Sequence, residues 1–201
     1  MASLQEVPVH TLRPTQLTVG MIEMRAKMHR LAKLNPGEQR DHLRSRPLPT
    51  VVGPEQRLYL TDHHHLGRAA TELGLKAVYT EVQADFGRFD VDRFWKEMDQ
   101  RSWVHPLDEN GVRHHFSVIP HHLEGLVDDV YRSLAGSVRD AGGFEKTPSA
   151  FAEFVWADFF RRLIAIEDVR ADFQAAVEVA IALAHGEHAR GMPGYRAGGG
   201  G

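Results

Sequence analysis

At 201 residues, the chain is long enough to bury one substantial core or two small ones. Its 24 Lys and Arg residues against 27 Asp and Glu residues leave it slightly acidic, so net charge does not support a duplex-binding surface, although nucleic acid stays open as a partner. The absence of cysteine excludes disulfides and thiolate sites. Because no apolar run of about 18 residues and no signal-peptide layout occurs, we expect a cytoplasmic protein without a membrane segment.

The first half of the chain predicts a compact α/β domain over residues 1–102, of the α+β kind, with a small mixed sheet and flanking helices. Pro8 indicates that the first strand lies at a sheet edge or that Pro8 is near its start. Thr15 or Thr18 is the predicted cap of the first long helix. The predicted elements are a strand over residues 7–12, helices over 18–34 and 38–46, a β-hairpin of residues 50–52 and 57–60, a helix ending at Leu73, a strand over 76–82 and a helix over 90–101.

The second half changes character, with aromatic and alanine-rich stretches replacing the strands. Asn110-Gly111 predicts a turn, so residues 103–120 are expected to form a hairpin or linker arm. A helical region over 121–190 is expected to pack on the first domain, and residues 191–201 form a predicted disordered tail. The helices are predicted over residues 121–141, from a cap at Thr147 through Leu163, and from Asp168 to His185. The middle helix is apolar around much of its circumference, which predicts burial.

The most informative stretch is the junction of residues 58–68, where an apolar run ends in Asp62 and three histidines, His63, His64 and His65. It lies between a predicted strand and a predicted helix, and such a junction offers free backbone N–H groups to an anion. Asp62 either caps the helix or acts as a general base or metal ligand. Because neighbouring side chains on a helix point about 100° apart, His64 and His65 are not both expected to line one pocket.

Other side chains extend this hypothesis. Lys27 would supply a cation if the first long helix packs across the sheet, and Arg13 and Gln16 precede that helix in a loop suited to contacting a polar ligand. A metal site is a further alternative because imidazole is a common ligand, but adjacent histidines seldom bind one ion from regular structure. The histidines in question are His114, His115, His121 and His122.

The order Pro49-Thr50-Val51-Val52, turn, Leu58 to Leu66, helix and Leu73-Gly74 resembles the core of the ParB/sulfiredoxin superfamily. The opening Leu12-Arg13-Pro14-Thr15-Gln16 with Val19-Gly20 and Lys27 is similar to the bacterial ParB-like nuclease family. The junction itself is similar to that of free serine kinases, which have aspartate-glycine-histidine-histidine-arginine there. In this chain His63 stands in place of the glycine and Leu66 in place of the arginine. The resemblance covers roughly residues 7 to 100.

The resemblance implies a ParB/sulfiredoxin-like domain followed by a helical C-terminal region. Two departures from the superfamily limit what the resemblance implies. The chain has no cysteine, which excludes sulfiredoxin activity, and it lacks the CTP-binding motif, which disfavours chromosome partitioning. The resemblance assigns catalytic roles to Asp62, His64, His65 and Lys27. Arg13, Gln16, His63 and Arg68 are the expected ligand- or phosphate-binding residues, and Arg68 is a candidate substitute for the missing arginine.

Two classes of function follow from these residues. The first is a phosphotransferase- or phosphohydrolase-like enzyme acting on a phosphate-containing or small polar metabolite. The second is a nucleotide- or DNA-binding module, or a metal-dependent nuclease. The cofactor is left open, with a nucleotide and a divalent metal as the candidate. Small-molecule, nucleotide and nucleic-acid partners all remain to be distinguished, as does the oligomeric state.

Overall fold

The structure, a computed structural model, describes residues 4–198, and within this range the chain forms two compact units. The first unit contains the chain up to Val19, Met24–Asp108 and Val112–Val127. The second contains Gly20–Glu23, Glu109–Gly111 and the chain from Asp128 onward. The outermost residues of the predicted N-terminus and tail, 1–3 and 199–201, lie outside the described range. Within it, no helix is long and apolar enough to cross a membrane.

Helices and short strands alternate through the first unit, and helices follow one another in the second. In chain order the elements are β1 Leu4–Pro8, β2 Thr18–Val19, α1 Met21–Ala32, α2 Pro36–Arg44, β3 Leu48–Val52, β4 Leu58–Leu60, α3 His64–Glu72, β5 Ala77–Asp85, α4 Val91–Gln100, β6 Val127–Asp128, α5 Val130–Asp140, α6 Ala152–Arg161, α7 Ile166–Ala171 and α8 Phe173–Ala184. Short 3-10 helices lie at Val9–Thr11, Pro54–Gln56, Phe116–Val118, Leu123–Gly125 and Glu187–Ala189.

A four-stranded mixed sheet in the order β1-β5-β3-β4 forms the centre of the first unit. β5 pairs antiparallel with β1 and parallel with β3, and β3 pairs antiparallel with β4. The predicted α+β class and the predicted hairpin are therefore confirmed. β1 lies at the edge of the sheet, one of the two alternatives that Pro8 predicted, but it covers Leu4–Pro8 rather than residues 7–12 and ends at Pro8, where a residue without an N–H group is tolerated. A separate two-stranded sheet joins β2 to β6.

Aromatic packing fixes α4 against the sheet. Asp90 caps this helix by accepting a hydrogen bond from the Arg93 N–H over 2.8 Å. Phe94 and Met98 lie four residues apart on its inner face and are completely buried, as the amphipathic pattern predicted. The Phe94 ring lies 4.6 Å from the Tyr59 ring of β4, centroid to centroid. This contact holds the strand that leads into the junction.

The first helix is shorter than predicted. Thr18 belongs to β2, and α1 begins only at Met21. The predicted capping role of Thr15 or Thr18 is wrong because the Thr15 hydroxyl donates to the Leu60 carbonyl instead, over 2.6 Å. Thr15 thus ties the loop before the helix to the end of β4.

The predicted arm around Asn110-Gly111 forms a tighter turn than expected. Leu107 and Arg113 make an antiparallel bridge, and the His114 N–H donates to the Pro106 carbonyl over 2.8 Å. The expected pairing of residues 103–105 with 112–116 is wrong, because the backbone of His105 pairs with the loop at Gln16 instead. The backbone of His105 bonds to the Thr15 carbonyl over 2.8 Å.

Three helix boundaries in the second half also differ from prediction. No helix begins at His121, because Asp129 caps α5 by accepting the N–H groups of Tyr131 and Arg132. Thr147 accepts from the Ser149 N–H in a local turn, so α6 begins later, at Ala152. The helix predicted from Asp168 is divided at Asp172, whose extended backbone ends α7 and whose side chain caps α8.

The second unit has its own core, built mainly from α5, α6 and α8. Trp156 and Phe160 of α6 are completely buried, which confirms the predicted burial of the aromatic helix. The Trp156 ring stacks on Phe144 with centroids 4.4 Å apart. The Trp156 indole N–H donates to the Pro193 carbonyl over 2.7 Å, so its polar atom is satisfied.

Candidate functional site

The junction begins where β4 ends. Leu60 is completely buried, whereas Asp62, two residues later, is exposed. One carboxylate oxygen, Asp62 Oδ1, accepts the His63 N–H over 2.6 Å. Asp62 therefore orders the turn before α3 rather than capping the helix through later N–H groups, as one of the two interpretations expected. The remaining oxygen, Oδ2, has no hydrogen-bond partner among residues 4–198.

His63 occupies an unusual backbone conformation. It is the N-cap residue of α3, with a left-handed φ of 63°. A residue with a Cβ atom is disfavoured there by about 1 kcal/mol relative to glycine. The imidazole of His63 is exposed and directly follows Asp62. The chain therefore maintains a strained turn that presents a carboxylate and an imidazole side by side.

His64 turns inward instead. It is only 4% exposed, and its Nε2 accepts the Thr15 N–H over 3.1 Å. The pKa of His64 is lowered to about 3, chiefly by burial; Asp62 opposes this shift, and His63 and His105 contribute to it. The imidazole is therefore neutral and carries its proton on Nδ1. It connects α3 to the loop before α1 and cannot supply positive charge to a ligand.

His65 is also buried, at 7% exposure. Of the three consecutive imidazoles, only His63 is thus presented to solvent. All four residues of the first turn of α3, from His64 to Gly67, are buried, so other segments cover this turn on every side.

The loop of residues 13–17 runs beside β4. The Arg13 N–H donates to the Leu58 carbonyl, and the Arg13 carbonyl accepts the Leu60 N–H over 2.8 Å. Gln16 is buried, and its Nε2 donates to the Thr18 carbonyl over 2.7 Å. Arg13 is partly exposed and close enough to Tyr59 to oppose the burial that raises the pKa of its phenol. The loop therefore brings a cation alongside the strand that delivers Asp62.

Comparison with known proteins assigns the chain to a family. Residues 5–162 match the family described as "Putative ParB-like nuclease". The chain belongs to this family. It is also similar to protein Atu1540 from Agrobacterium tumefaciens, whose crystal structure superposes with a TM-score of 0.93 at 37% identity, covering 98% of each chain. Curated proteins give no match.

The ParB-like nuclease match confirms the family named from the sequence and extends it. The sequence resemblance ended near residue 100, whereas the family match continues to residue 162 and so includes α5 and α6. The helical second half, at least through α6, is thus part of what defines the ParB-like nuclease family.

Two positions at which the chain departs from the serine-kinase-like motif have a structural account. His63 stands where that motif has glycine, and the left-handed φ explains why glycine suits the position. Leu66 stands where the motif has arginine, and its side chain is buried. The predicted substitute, Arg68, has one guanidinium nitrogen on the Leu123 carbonyl at 2.7 Å and another in an ion pair with Glu72. Arg68 is therefore already engaged within the first unit.

Lys27 lies in α1, next to α2. It is close enough to His42 to contribute, after burial, Arg46 and Arg30, to lowering the pKa of that imidazole. This places the Lys27 ammonium group beside the α2 helix. Its predicted catalytic role stays a prediction.

The histidines of the second half have local partners. His114 Nε2 lies 2.8 Å from Asp108 Oδ2, and His115 Nδ1 lies 2.9 Å from the Ser117 hydroxyl. His121 and His122 are exposed. Across residues 4–198, no three His, Asp or Glu side chains are grouped so as to hold a metal ion. The metal alternative therefore gains no geometric support within the described chain.

Two contributors to the site were not assigned a role there from the sequence. Thr15 anchors His64 and Leu60 at once, and His105 lies close enough to His64 to affect its pKa. Thr15 was signalled only by its place in the Arg13 to Gln16 motif. His105 had no local signal, because it follows His64 by 41 positions and reaches the junction through a backbone bond to Thr15.

Proposed function

We propose that the protein is an enzyme acting on a phosphate-containing or small polar metabolite, with Asp62 as the general base. The observation that carries this proposal is the state of the Asp62 carboxylate. One oxygen is held by the His63 N–H, and the other faces outward without a partner among the described residues. An oriented, exposed carboxylate oxygen suits removal of a proton from a hydroxyl group or a water molecule.

His63 supplies the second group in this proposal. Its exposed imidazole directly follows Asp62, so it is suited to donate a hydrogen bond to a phosphate oxygen or a proton to a leaving group. This assignment moves the acid role from His64 to His63. His64 is buried and neutral, and it acts as a positioning residue through Thr15.

Arg13 is the cation best placed to balance the charge of a bound anion. Its backbone bonds to both Leu58 and Leu60, so the residue is fixed beside β4, whose continuation is Asp62. Arg68 is less suited, because its guanidinium is occupied by Leu123 and Glu72. A phosphotransferase or a phosphohydrolase would use the same three side chains, and they differ only in whether a metabolite hydroxyl or water accepts the phosphoryl group.

The test starts from a thermal-shift screen of nucleotides, phosphorylated metabolites and amino acids, with and without divalent metal, followed by product analysis of each stabilising compound. Asp62→Asn is expected to abolish turnover and to keep most of the ligand-induced shift in melting temperature. Asp168→Asn, which neutralises an exposed carboxylate on α7, is the matched control and should leave turnover unchanged. Undiminished turnover in Asp62→Asn would remove Asp62 from the mechanism.

A nuclease is the second candidate, favoured by the family match over residues 5–162. It predicts cutting of linear duplex DNA by the wild-type chain that is lost together in Asp62→Asn and His63→Ala. Cutting that persists equally in both variants would indicate a contaminating nuclease. A third outcome, stabilisation by a nucleotide without any product, would identify a binding module.

A further inference from the structure

The charge of the chain is unevenly distributed. Residues 24–46, which cover most of α1 and all of α2, contain seven Lys and Arg residues and two Asp and Glu residues, a formal charge of +5. The whole chain carries −3, so the remainder carries −8. Such asymmetry is typical of a surface that meets a polyanion.

Six of the seven cations of this segment have no acidic partner among the described residues. Within residues 4–198, none of six of them forms an ion pair with a carboxylate: Arg25, Arg30, Lys33, Arg40, Arg44 and Arg46. Elsewhere in the described chain, arginines commonly form ion pairs with carboxylates, as Arg57 does with Glu55 and Arg101 with Glu97. The carboxylates of this segment therefore do not neutralise its positive charge.

His42 of α2 has several of these cations near it. Arg46 NH1 lies 3.2 Å from His42 Nδ1, so an arginine uses an imidazole as its acceptor where a carboxylate would be expected. After burial, Arg46, Arg30 and Lys27 all lower the pKa of His42. Arg46, two residues after the end of α2, contacts His42 directly, and Arg30 and Lys27 of α1 are close enough to affect its pKa. We call Arg30, His42 and Arg46, with the flanking cations of both helices, the basic patch.

We propose that the basic patch binds the phosphate backbone of nucleic acid without reading its sequence. The cations from Arg25 in α1 to Lys33, the first residue after it, span about 12 Å at 1.5 Å per residue, a length that matches several successive phosphates better than one small anion. Arg40 and Arg44 add positive charge on a different face of α2, close enough to Tyr79 of β5 to lower its pKa against the larger effect of burial.

A lipid surface fits less well. A helix that binds membranes exposes large apolar side chains beside its cations. In this segment Met24, Leu31 and Leu43 are buried in the protein core. Ile22, at the start of α1 and 37% exposed, is the one large apolar side chain among the exposed residues of α1 and α2, so this surface offers a membrane little apolar area.

Fluorescence anisotropy tests the proposal, with the full chain titrated against labelled duplex DNA, single-stranded DNA and single-stranded RNA of unrelated sequences. Wild-type protein is expected to bind all sequences alike, more weakly as salt rises from about 50 to about 200 mM. The double variant Arg30→Gln/Arg46→Gln should weaken binding severalfold for every sequence. It should also reduce the slope of log K against log salt by about two, since each phosphate contact contributes about 0.9.

The control double variant is Lys146→Gln/Arg162→Gln, which removes two exposed cations of the second unit. It should bind like wild type, and unchanged melting temperatures should show that both variants are folded. Absence of wild-type binding at low salt, or equal losses in the two double variants, would overturn the proposal. So would patch-dependent binding to phosphatidylserine-containing vesicles with nucleic-acid binding unaffected. Asp62→Asn should bind nucleic acid like wild type, which separates this surface from the junction.

Discussion

The buried imidazole of His64 accepts the backbone N–H of Thr15 over 3.1 Å, although 49 positions separate the two residues. The Thr15 hydroxyl simultaneously donates to the Leu60 carbonyl over 2.6 Å. Together these bonds clamp the loop before α1 onto the end of β4, so that Asp62 and His63 project from a fixed turn. The clamp has measurable consequences for stability and for turnover.

Stability should depend on pH through His64. Its pKa is about 3 in the folded protein and 6.5 in the unfolded chain, so the unfolded chain takes up the proton first as pH falls. The contribution of neutral His64 to the free energy of unfolding is complete above pH 6.5. It decreases as pH falls from 6.5 to about 3, by at most about 1.4 kcal/mol per pH unit. Urea unfolding at about pH 7 and about pH 5 measures this slope. His64→Gln should flatten it, whereas His188→Gln, at an exposed position, should not.

Replacing His63 by glycine should stabilise the protein. The left-handed φ of 63° disfavours any side chain with a Cβ atom, and the greater freedom of glycine in the unfolded chain offsets part of the gain. The expected net effect is about 0.5–1 kcal/mol in the free energy of unfolding. His63→Ala removes the same imidazole but keeps the strain, so it should not share the gain. Both variants should lose turnover to a similar extent, and equal stabilities for glycine and alanine would contradict the strain argument.

Thr15→Val should loosen the clamp. The substitution keeps the side-chain shape but removes the donor to the Leu60 carbonyl, which costs about 1–3 kcal/mol for a buried group. Thr15→Ser retains the hydroxyl and loses one methyl group, a loss of about 1 kcal/mol. Chemical denaturation compares the two. A serine variant as unstable as the valine variant would show that the hydroxyl contributes little.

Asp129 should be the most sensitive acid of the second unit. It is 1% exposed, caps α5 through Oδ1, and bonds to Arg161 through Oδ2 at 2.7 Å. Asp129→Ala removes the helix cap and the bond from Arg161, and it leaves the largely buried Arg161 guanidinium without this partner. The expected loss in the free energy of unfolding is about 3–5 kcal/mol. Asp129→Asn keeps an oxygen for the cap and should cost about 1–3 kcal/mol. Thermal unfolding of the two variants tests this ranking, and equal losses of stability would contradict it.

The local sequence pattern was sufficient to predict elements whose structure depends mainly on their own residues. Alternation and turn residues predicted the β3–β4 hairpin, and apolar spacing predicted α4 with Phe94 and Met98 inside. Helix starts were less accurate because Thr147 and Asp129 each had several competing uses for one side-chain oxygen. Which use prevails depends on neighbours that the local pattern does not contain.

The sequence by itself determined the family, the mixed sheet and the position of Asp62 at a strand-to-helix junction, because these depend on short-range order along the chain. The tertiary structure decided which histidine faces solvent. His63 lies in a left-handed turn and remains outside, whereas His64 is drawn inward by an N–H group 49 positions earlier in the chain. It also decided that Arg46 contacts His42 and that Arg30 and Lys27 of α1 lie close enough to affect its pKa. Burial and charge convergence arise from contacts between distant segments, and no local pattern in the chain specifies them.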